Sequence, residues 1–204
     1  MATGRTVSAK WDRIYINGLD MSGYVRKLAP LSWEYAETDL QALSDAAGGG
    51  LPGIATIGSG VLNGIFDNTV TTGLHALASS AGAKRLVTLA RGIRAEPAAG
   101  DPCFTAYATQ KNYFAVDDGG AATVTIDFGT LDVTQLINYA RPWGDLLHAK
   151  GAETAVNTAA GIDGLAASTA GGWFWWHILS GNGTITVKAQ DAATNTDVNF
   201  SDLS

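Results

Sequence analysis

The sequence predicts a mostly β protein: a β-sandwich or partial barrel with one packed α-helix, plus a smaller C-terminal β module. Two observations lead to this fold class. Roughly seven to nine short apolar or alternating segments recur along the chain, separated by turn residues. Only Thr72–Ala81 has the spacing of an amphipathic helix. The pattern of apolar and alternating segments gives way to small and polar residues near residue 140. We therefore expect one domain over residues 1–140 and the C-terminal module over residues 141–204.

The first strands are predicted from alternation and turn signals. Trp11–Ile16 alternates, and Asn17-Gly18 after it is a strong signal for a tight turn. Leu19–Val25 then resumes as a short extended segment. Leu31–Leu40 is the next strand candidate.

A glycine-rich loop and the helix follow. Ser44–Gly53 contains too much glycine to hold regular structure, so it is predicted to be a loop. Ile54–Asp67 is predicted to form one or two strands. For the helix over Thr72–Ala81, Thr71 or Thr72 can cap the start, and Gly82 can end it.

The central strands show the clearest pattern. Lys84–Arg91 is a predicted strand, and Pro102–Val116 is predicted to be either one long strand or a bent pair of strands. Thr123–Phe128 alternates cleanly, and residues 117–120 before it are typical of a hairpin connection. The side chains predicted to point inward are Val124, Ile126 and Phe128.

Near the C-terminus, Trp173–Leu179 and Thr184–Gln190 are predicted to form a hairpin around residues 180–183. The pattern of Leu131–Tyr139 is ambiguous.

The charge distribution argues against tight DNA binding, and the N-terminal residues argue against a signal peptide. The net charge is −6, and no basic cluster exceeds Lys84-Arg85 or Arg26-Lys27, so tight DNA binding is not expected. Only 16% of residues are charged, against about a quarter in ordinary proteins. Such a low charge content fits a subunit covered by neighbours, and it equally fits a secreted β-domain. The N-terminus lacks the apolar core of a signal peptide, so we expect a soluble protein made inside the cell.

No set of residues combines a nucleophile, a base and an oxyanion donor, so the sequence predicts no enzyme, no cofactor and no metal. His75, His148 and His177 lack metal-ligand spacing. Cys103 lies in a strand-like run and is interpreted as a small buried residue rather than a nucleophile. The glycines from Gly58 to Gly64 lack the strand–turn–helix context of a dinucleotide site.

The aromatic run at residues 173–176 has two interpretations. Exposed tryptophans stack on sugars or bases. Consecutive strand residues alternate faces, so we favour a strand buried on both sides or at a subunit interface. The candidate interface aromatics are Trp173, Trp175 and Trp176.

The order of several segments resembles the major tail tube proteins of tailed, siphophage-type bacteriophages. The segment Ile-Tyr-Ile-Asn-Gly-Leu-Asp-Met-Ser-Gly-Tyr-Val at residues 14–25 is similar to their opening strand, turn and strand. Leu51-Pro52-Gly53 and residues 60–67 continue the pattern, and the helix and Leu86–Leu89 follow in the expected order. Residues 184–191 resemble the closing β module. In that family further strands follow the counterpart of residues 200–203, so this last module is expected to be incomplete, truncated or completed by a neighbour.

The resemblance implies a structural virion protein of the phage tail. Its copies would form homohexameric rings that stack into a tube, a conduit through which DNA passes without specific binding. The implied partners are the tape measure protein and tail completion or neck proteins, with assembly in the bacterial host cytoplasm and no membrane contact. The alternatives are another virion part, such as a capsid decoration or neck protein, and a carbohydrate-binding β-domain.

Two groups of residues are candidates for roles in such a tube. The first, in the early strand pair, would face the lumen: Glu34, Glu37 and Asp39. The second, in the glycine-rich loop, would order when one ring stacks on the next: Asp45, Gly48, Gly49, Gly50 and Pro52.

Overall fold

The computed structural model describes residues 9–28, 33–39, 50–57, 60–93, 95–117, 119–131, 143–151, 174–180, 187, 190–191 and 201–202. In this part of the chain a 3-10 helix covers Ala9–Trp11 and one α-helix, α1, covers Leu74–Ala78. The strands are β1 (Arg13–Ile16), β2 (Leu19–Asp20), β3 (Val25–Leu28), β4 (Trp33–Asp39), β5 (Gly50–Ile57), β6 (Gly60–Ile65), β7 (Lys84–Ala90), β8 (Pro102–Asp117), β9 (Ala122–Leu131), β10 (Trp143–Asp145), β11 (Gln190–Asp191) and β12 (Ser201–Asp202).

Eight strands form one antiparallel sheet, in the order β2-β1-β7-β8-β9-β6-β3, with β10 paired beside β8. Two further pairs, β4–β5 and β11–β12, form small sheets of their own. The prediction of a mostly β fold with a short helix is confirmed.

The chain divides into two compact units. Unit 1 takes residues 1–22, 86–106 and 137–204, and unit 2 takes residues 23–85 and 107–136. The strands β7 and β8 therefore run through both units. The predicted boundary near residue 140 stays a prediction.

Unit 1 is built on β1, whose predicted turn is confirmed. Asn17 and Gly18 have φ angles of 48° and 80°, the two positive values that a two-residue hairpin turn needs. The Asn17 side-chain oxygen also accepts the Leu86 N–H at 2.8 Å and ties the turn to β7. The core residues on one face of these strands are Ile14, Ile16, Val87, Leu89, Phe104 and Ala106.

Unit 2 buries the alternating face of β9 as predicted, since Val124, Ile126 and Phe128 are all at most 1% exposed. The short helix α1 covers this side of the sheet with Leu74 and Ala78. Gly64 on β6 allows the close approach, because a Cβ there would lie 2.6 Å from Leu74 Cδ2.

Helix α1 is shorter than predicted at both ends. It begins after Gly73, which has extended backbone angles and no capping side chain, so neither Thr71 nor Thr72 acts as the cap. After residue 78 the chain turns through Gly82, with φ at 84°. The Gly82 N–H then donates to Gln110 O on β8 and joins this turn to the sheet.

Three further segments differ from the sequence interpretation. Strand β5 begins at Gly50, inside the predicted loop, and Pro52 is tolerated because β4 is its single described partner strand and the pairing is irregular near it. Residues 22–24 form a turn, so Leu19–Val25 is not one continuous segment. Residues 174–179 are in no described strand.

Candidate functional site

In unit 2, the far half of β8 is an edge of the sheet that the described strands form. Among the described residues, the last backbone hydrogen bond on the β7 side of β8 is at Gln110, whose N–H donates to Ala83 O at 2.9 Å. On the other side, β9 pairs with β8 as far as Asp117. Residues 112–117 therefore have a described partner strand on one side alone. The backbone N–H and C=O groups on the other side of such an edge can pair with a strand of another chain.

The ladder shows which backbone groups point toward this edge. The Phe66 N–H donates to Ala122 O at 2.9 Å, so these two residues are a hydrogen-bonded pair between β6 and β9. Hydrogen-bonded and non-hydrogen-bonded pairs alternate in an antiparallel ladder, so residues 123, 125 and 127 bond to β8 instead.

Their partners on β8 are the residues with even numbers: Val116, Phe114 and Asn112. The intervening residues Tyr113, Ala115 and Asp117 consequently direct their N–H and C=O groups to the free edge. This assignment depends on backbone pairing alone.

The opposite edge of the same sheet is β3. It pairs with β6 through an irregular register between Val25 and Lys27, and no other described strand lies beside it. Arg26 and Lys27 are exposed on this edge, whereas Asp117 is exposed at the end of the β8 edge. The two free edges of unit 2 thus carry charges of opposite sign.

An apolar patch lies on the exposed face of these strands. Ile65 and Val116 both pair with Thr123, so the three side chains share one face, and Phe114 lies two residues further along it. The exposed fractions are 41% for Ile65, 38% for Val116 and 61% for Phe114. An apolar cluster of this kind at a free edge is typical of an interaction surface.

On the other face of the sheet, Tyr113 of β8 forms a cluster with His75 and Phe66. The Tyr113 hydroxyl and His75 Nδ1 on α1 are 2.7 Å apart, and Phe66 packs on the His75 ring at 5.1 Å between centroids. Burial raises the pKa of Tyr113. These contacts join the β8 edge to helix α1 within unit 2.

In unit 1, His177 belongs to a second cluster of side chains that are joined by hydrogen bonds. Its Nδ1 accepts the Gly18 N–H at 3.0 Å, and its Nε2 is 2.9 Å from Thr88 Oγ1. Thr88 in turn is 3.0 Å from Thr105 Oγ1, and the Tyr15 ring lies 5.7 Å away. Burial lowers the pKa of His177 to about 4.

The candidate aromatics fall in different environments. Trp176 is 56% exposed, whereas its neighbour Trp175 is partly buried, so the two do not share one platform. Trp173 lies outside the described residues. Their role at an interface stays a prediction.

The lumen candidates lie on β4. In backbone register Glu34 pairs with Thr56, Glu37 with Pro52 and Asp39 with Gly50. The loop candidates Gly50 and Pro52 are thus strand residues, whereas the remaining three, Asp45, Gly48 and Gly49, lie outside the described part of the chain.

Cys103 is partly buried, and burial raises the pKa of its thiol, which disfavours the nucleophilic thiolate. Within the described residues, no three metal-ligating side chains come together. Helices in the same part of the chain are too short or too polar to cross a membrane.

Sequence reasoning missed both the β8 edge and the His177 cluster. A signal for the edge exists in the length of β8, since 16 residues exceed the usual strand and need more than one partner strand. The His177 cluster joins residues far apart in the chain, and no local pattern marks it.

Comparison with known proteins gives structural neighbours of low identity. No protein-family model matches the chain, and no curated protein is significantly similar. A chain of the cryo-EM structure of the anti-feeding prophage baseplate is 15% identical, with a TM-score of 0.42, over 59% of this chain and 87% of that one.

Two further neighbours are similar at the same level. A chain of the PVC extracellular contractile injection system sheath/tube terminator is 12% identical, with a TM-score of 0.49, over 64% of this chain and 96% of that one. The Dit protein of phage SPP1 is 16% identical, with a TM-score of 0.35, over 59% of this chain and 50% of that one.

Proposed function

We propose that this protein is a non-enzymatic structural protein of a phage tail, whose copies join edge to edge into hexameric rings that stack into a tube. The observation that carries the proposal is the sheet of unit 2: within the described residues, no further strand lies beside either of its edges, and the two edges bear opposite charges. The resemblance of residues 14–25 and 60–67 to tail tube proteins supports the number of subunits and the tube.

The even number of strands in the unit 2 sheet lets its two edges pair with each other in an antiparallel arrangement. The four strands β8-β9-β6-β3 are all antiparallel, so β3 and β8 run in opposite directions. When β3 of one copy meets β8 of the next, the new pair is antiparallel like the others. A head-to-tail contact of this kind closes into a ring when the rotation per copy allows it.

Each junction would remove two free edges at once. Backbone groups of Tyr113, Ala115 and Asp117 would find partners on the neighbouring β3, and Arg26 and Lys27 would approach Asp117. Closing the sheets of all copies into one ring leaves no exposed edge strand that could pair with further chains and cause aggregation.

The charges at the junction give a direct test. Asp117→Lys and Lys27→Glu are each expected to weaken ring formation, because each places like charges across the junction. An exposed ion pair contributes roughly 0.2–1 kcal/mol, so about six junctions together amount to ~1–6 kcal/mol per ring.

The double variant Asp117→Lys with Lys27→Glu restores opposite charges and is expected to recover most of the assembly. Sedimentation velocity over a concentration series measures the ring fraction for all four proteins. Equal ring fractions in the wild type and both single variants would show that these edges do not meet.

For the lumen we propose Glu34, Glu37 and Asp39, whose charge would repel DNA and let it pass without sticking. Glu34→Lys combined with Glu37→Lys is expected to leave rings intact and to impair DNA delivery by assembled particles. Unchanged delivery would remove these residues from the lumen.

The partners proposed for the assembled tube are the tape measure protein and tail completion or neck proteins. DNA passes through without specific contacts, in keeping with a net charge of −6. The site of action is the virion tail.

A further inference from the structure

Residues 174–180, here called the strap, run across unit 1 without joining a described strand. Their side chains alternate, as in an extended segment that lies on a surface. The exposed ones are Phe174, Trp176 and Ile178, and the partly buried ones are Trp175, His177 and Leu179.

The strap is attached to the β1–β2 turn through His177, whose Nδ1 accepts the Gly18 N–H. The backbone follows the turn closely, because a Cβ on Gly18 would lie 2.9 Å from the Ile178 carbonyl oxygen. Under the imidazole are Tyr15 and Thr88, which pair across β1 and β7 and so share one face of the sheet.

This geometry requires a neutral imidazole. A ring nitrogen that accepts a hydrogen bond carries no proton, so Nε2 bears the hydrogen and donates it to Thr88 Oγ1. Protonation of His177 would place a second N–H on Nδ1, directly opposite the Gly18 N–H. The accepting bond would then be lost and replaced by repulsion between two donors.

The titratable groups on the neighbouring strands do not compensate a positive charge. Burial, followed by the Asp20 charge, raises the pKa of the facing Tyr15 to about 12, so this phenol is neutral in acid. On β8, burial raises the pKa of the Cys103 thiol, which is likewise neutral.

The charged groups on β1 and β2 already have partners. Arg13 on β1 pairs with Glu96. Burial alone would raise the pKa of Asp20 on β2, but hydrogen bonds from Lys150 and Ser22 outweigh it and lower this pKa. Lys150 Nζ is 2.6 Å from the Asp20 carboxylate.

We propose that the strap is an acid-released latch, in which protonation of His177 detaches residues 174–180 from the β1–β2 turn while the strands stay paired. Release uncovers the polar sheet face of Tyr15, Thr88 and Thr105, together with the inner side chain Trp175. The inference goes beyond the assembly function and does not depend on it.

The direction of the pH dependence follows from the two states of His177. In the detached strap its pKa is the ordinary 6.5, and in the attached strap burial lowers the pKa to about 4. Between these values the detached form binds more protons, so lowering the pH favours detachment. The attachment constant is expected to fall about tenfold for each pH unit in this window.

Amide hydrogen exchange of the full chain tests the proposal at several pH values between 7 and 4, after correction for intrinsic exchange rates. Protection of the Gly18 amide is expected to fall about tenfold per pH unit below 6.5, while amides of residues 123–128 on β9 keep theirs. The His177 ring resonances should titrate over the same range.

The matched variant is His177→Asn, because the amide oxygen can accept the Gly18 N–H and does not titrate. Its Gly18 protection is expected to be independent of pH across the window. Three results would overturn the proposal: unchanged Gly18 protection at pH 4 in the wild type, parallel loss of protection in β9, or the same pH profile in the His177→Asn variant.

Discussion

Ala115→Pro is expected to abolish ring assembly and to leave the monomer folded. Ala115 is exposed, and its backbone N–H points to the free edge of β8, so proline removes no bond of the β8–β9 ladder. Its effect falls on the junction, where a neighbouring β3 would lose one donor and meet the proline ring. No rings are expected at concentrations at which the wild type forms them.

Ala115→Val is the matched control, because it keeps the N–H and favours a strand. Circular dichroism and thermal unfolding verify that both variants fold, and sedimentation velocity compares their assembly. Rings formed by the proline variant as readily as by the wild type would exclude this edge from the junction.

Phe128→Ala is expected to destabilise the protein by about 3–5 kcal/mol. Phe128 is 1% exposed and lies on the inward face of β9, so its removal leaves a cavity. A loss of this size is a large part of the stability of a typical domain. Denaturant unfolding of the two proteins measures the difference.

Phe114→Ala provides the control, since the same side chain is removed from a site that is 61% exposed. Its unfolding free energy is expected to change by less than about 0.5 kcal/mol, whereas ring assembly should weaken because Phe114 belongs to the exposed patch. Equal destabilisation by both variants would contradict the assignment of inner and outer faces.

The strands with strong local patterns could be predicted from sequence. The alternation of Val124, Ile126 and Phe128 reports one buried face directly, and Asn17-Gly18 supplies the positive φ angles of a hairpin turn. The helix could be located but not bounded, because the carbonyl of its last residue, Ala78, accepts a hydrogen bond from the Gln110 side chain, which is distant in the chain.

The candidate interface depends on pairing that no local pattern encodes. On one side of β8 the described hydrogen bonds to the β7 segment stop near Gln110, whereas on the other side β9 continues to pair with β8 as far as Asp117. The sequence shows a long strand but not where each partner stops. His177 likewise contacts Gly18, 159 positions away, so its role emerges only from the folded chain.

Electron microscopy of the concentrated, negatively stained protein tests the proposed assembly most directly. Edge-to-edge closure predicts rings or hollow tubes with six-fold end views, and the Ala115→Pro variant should show neither. Monomers alone, even when tail tip complexes are supplied as nuclei for assembly, would contradict the proposal that copies of this chain close into rings.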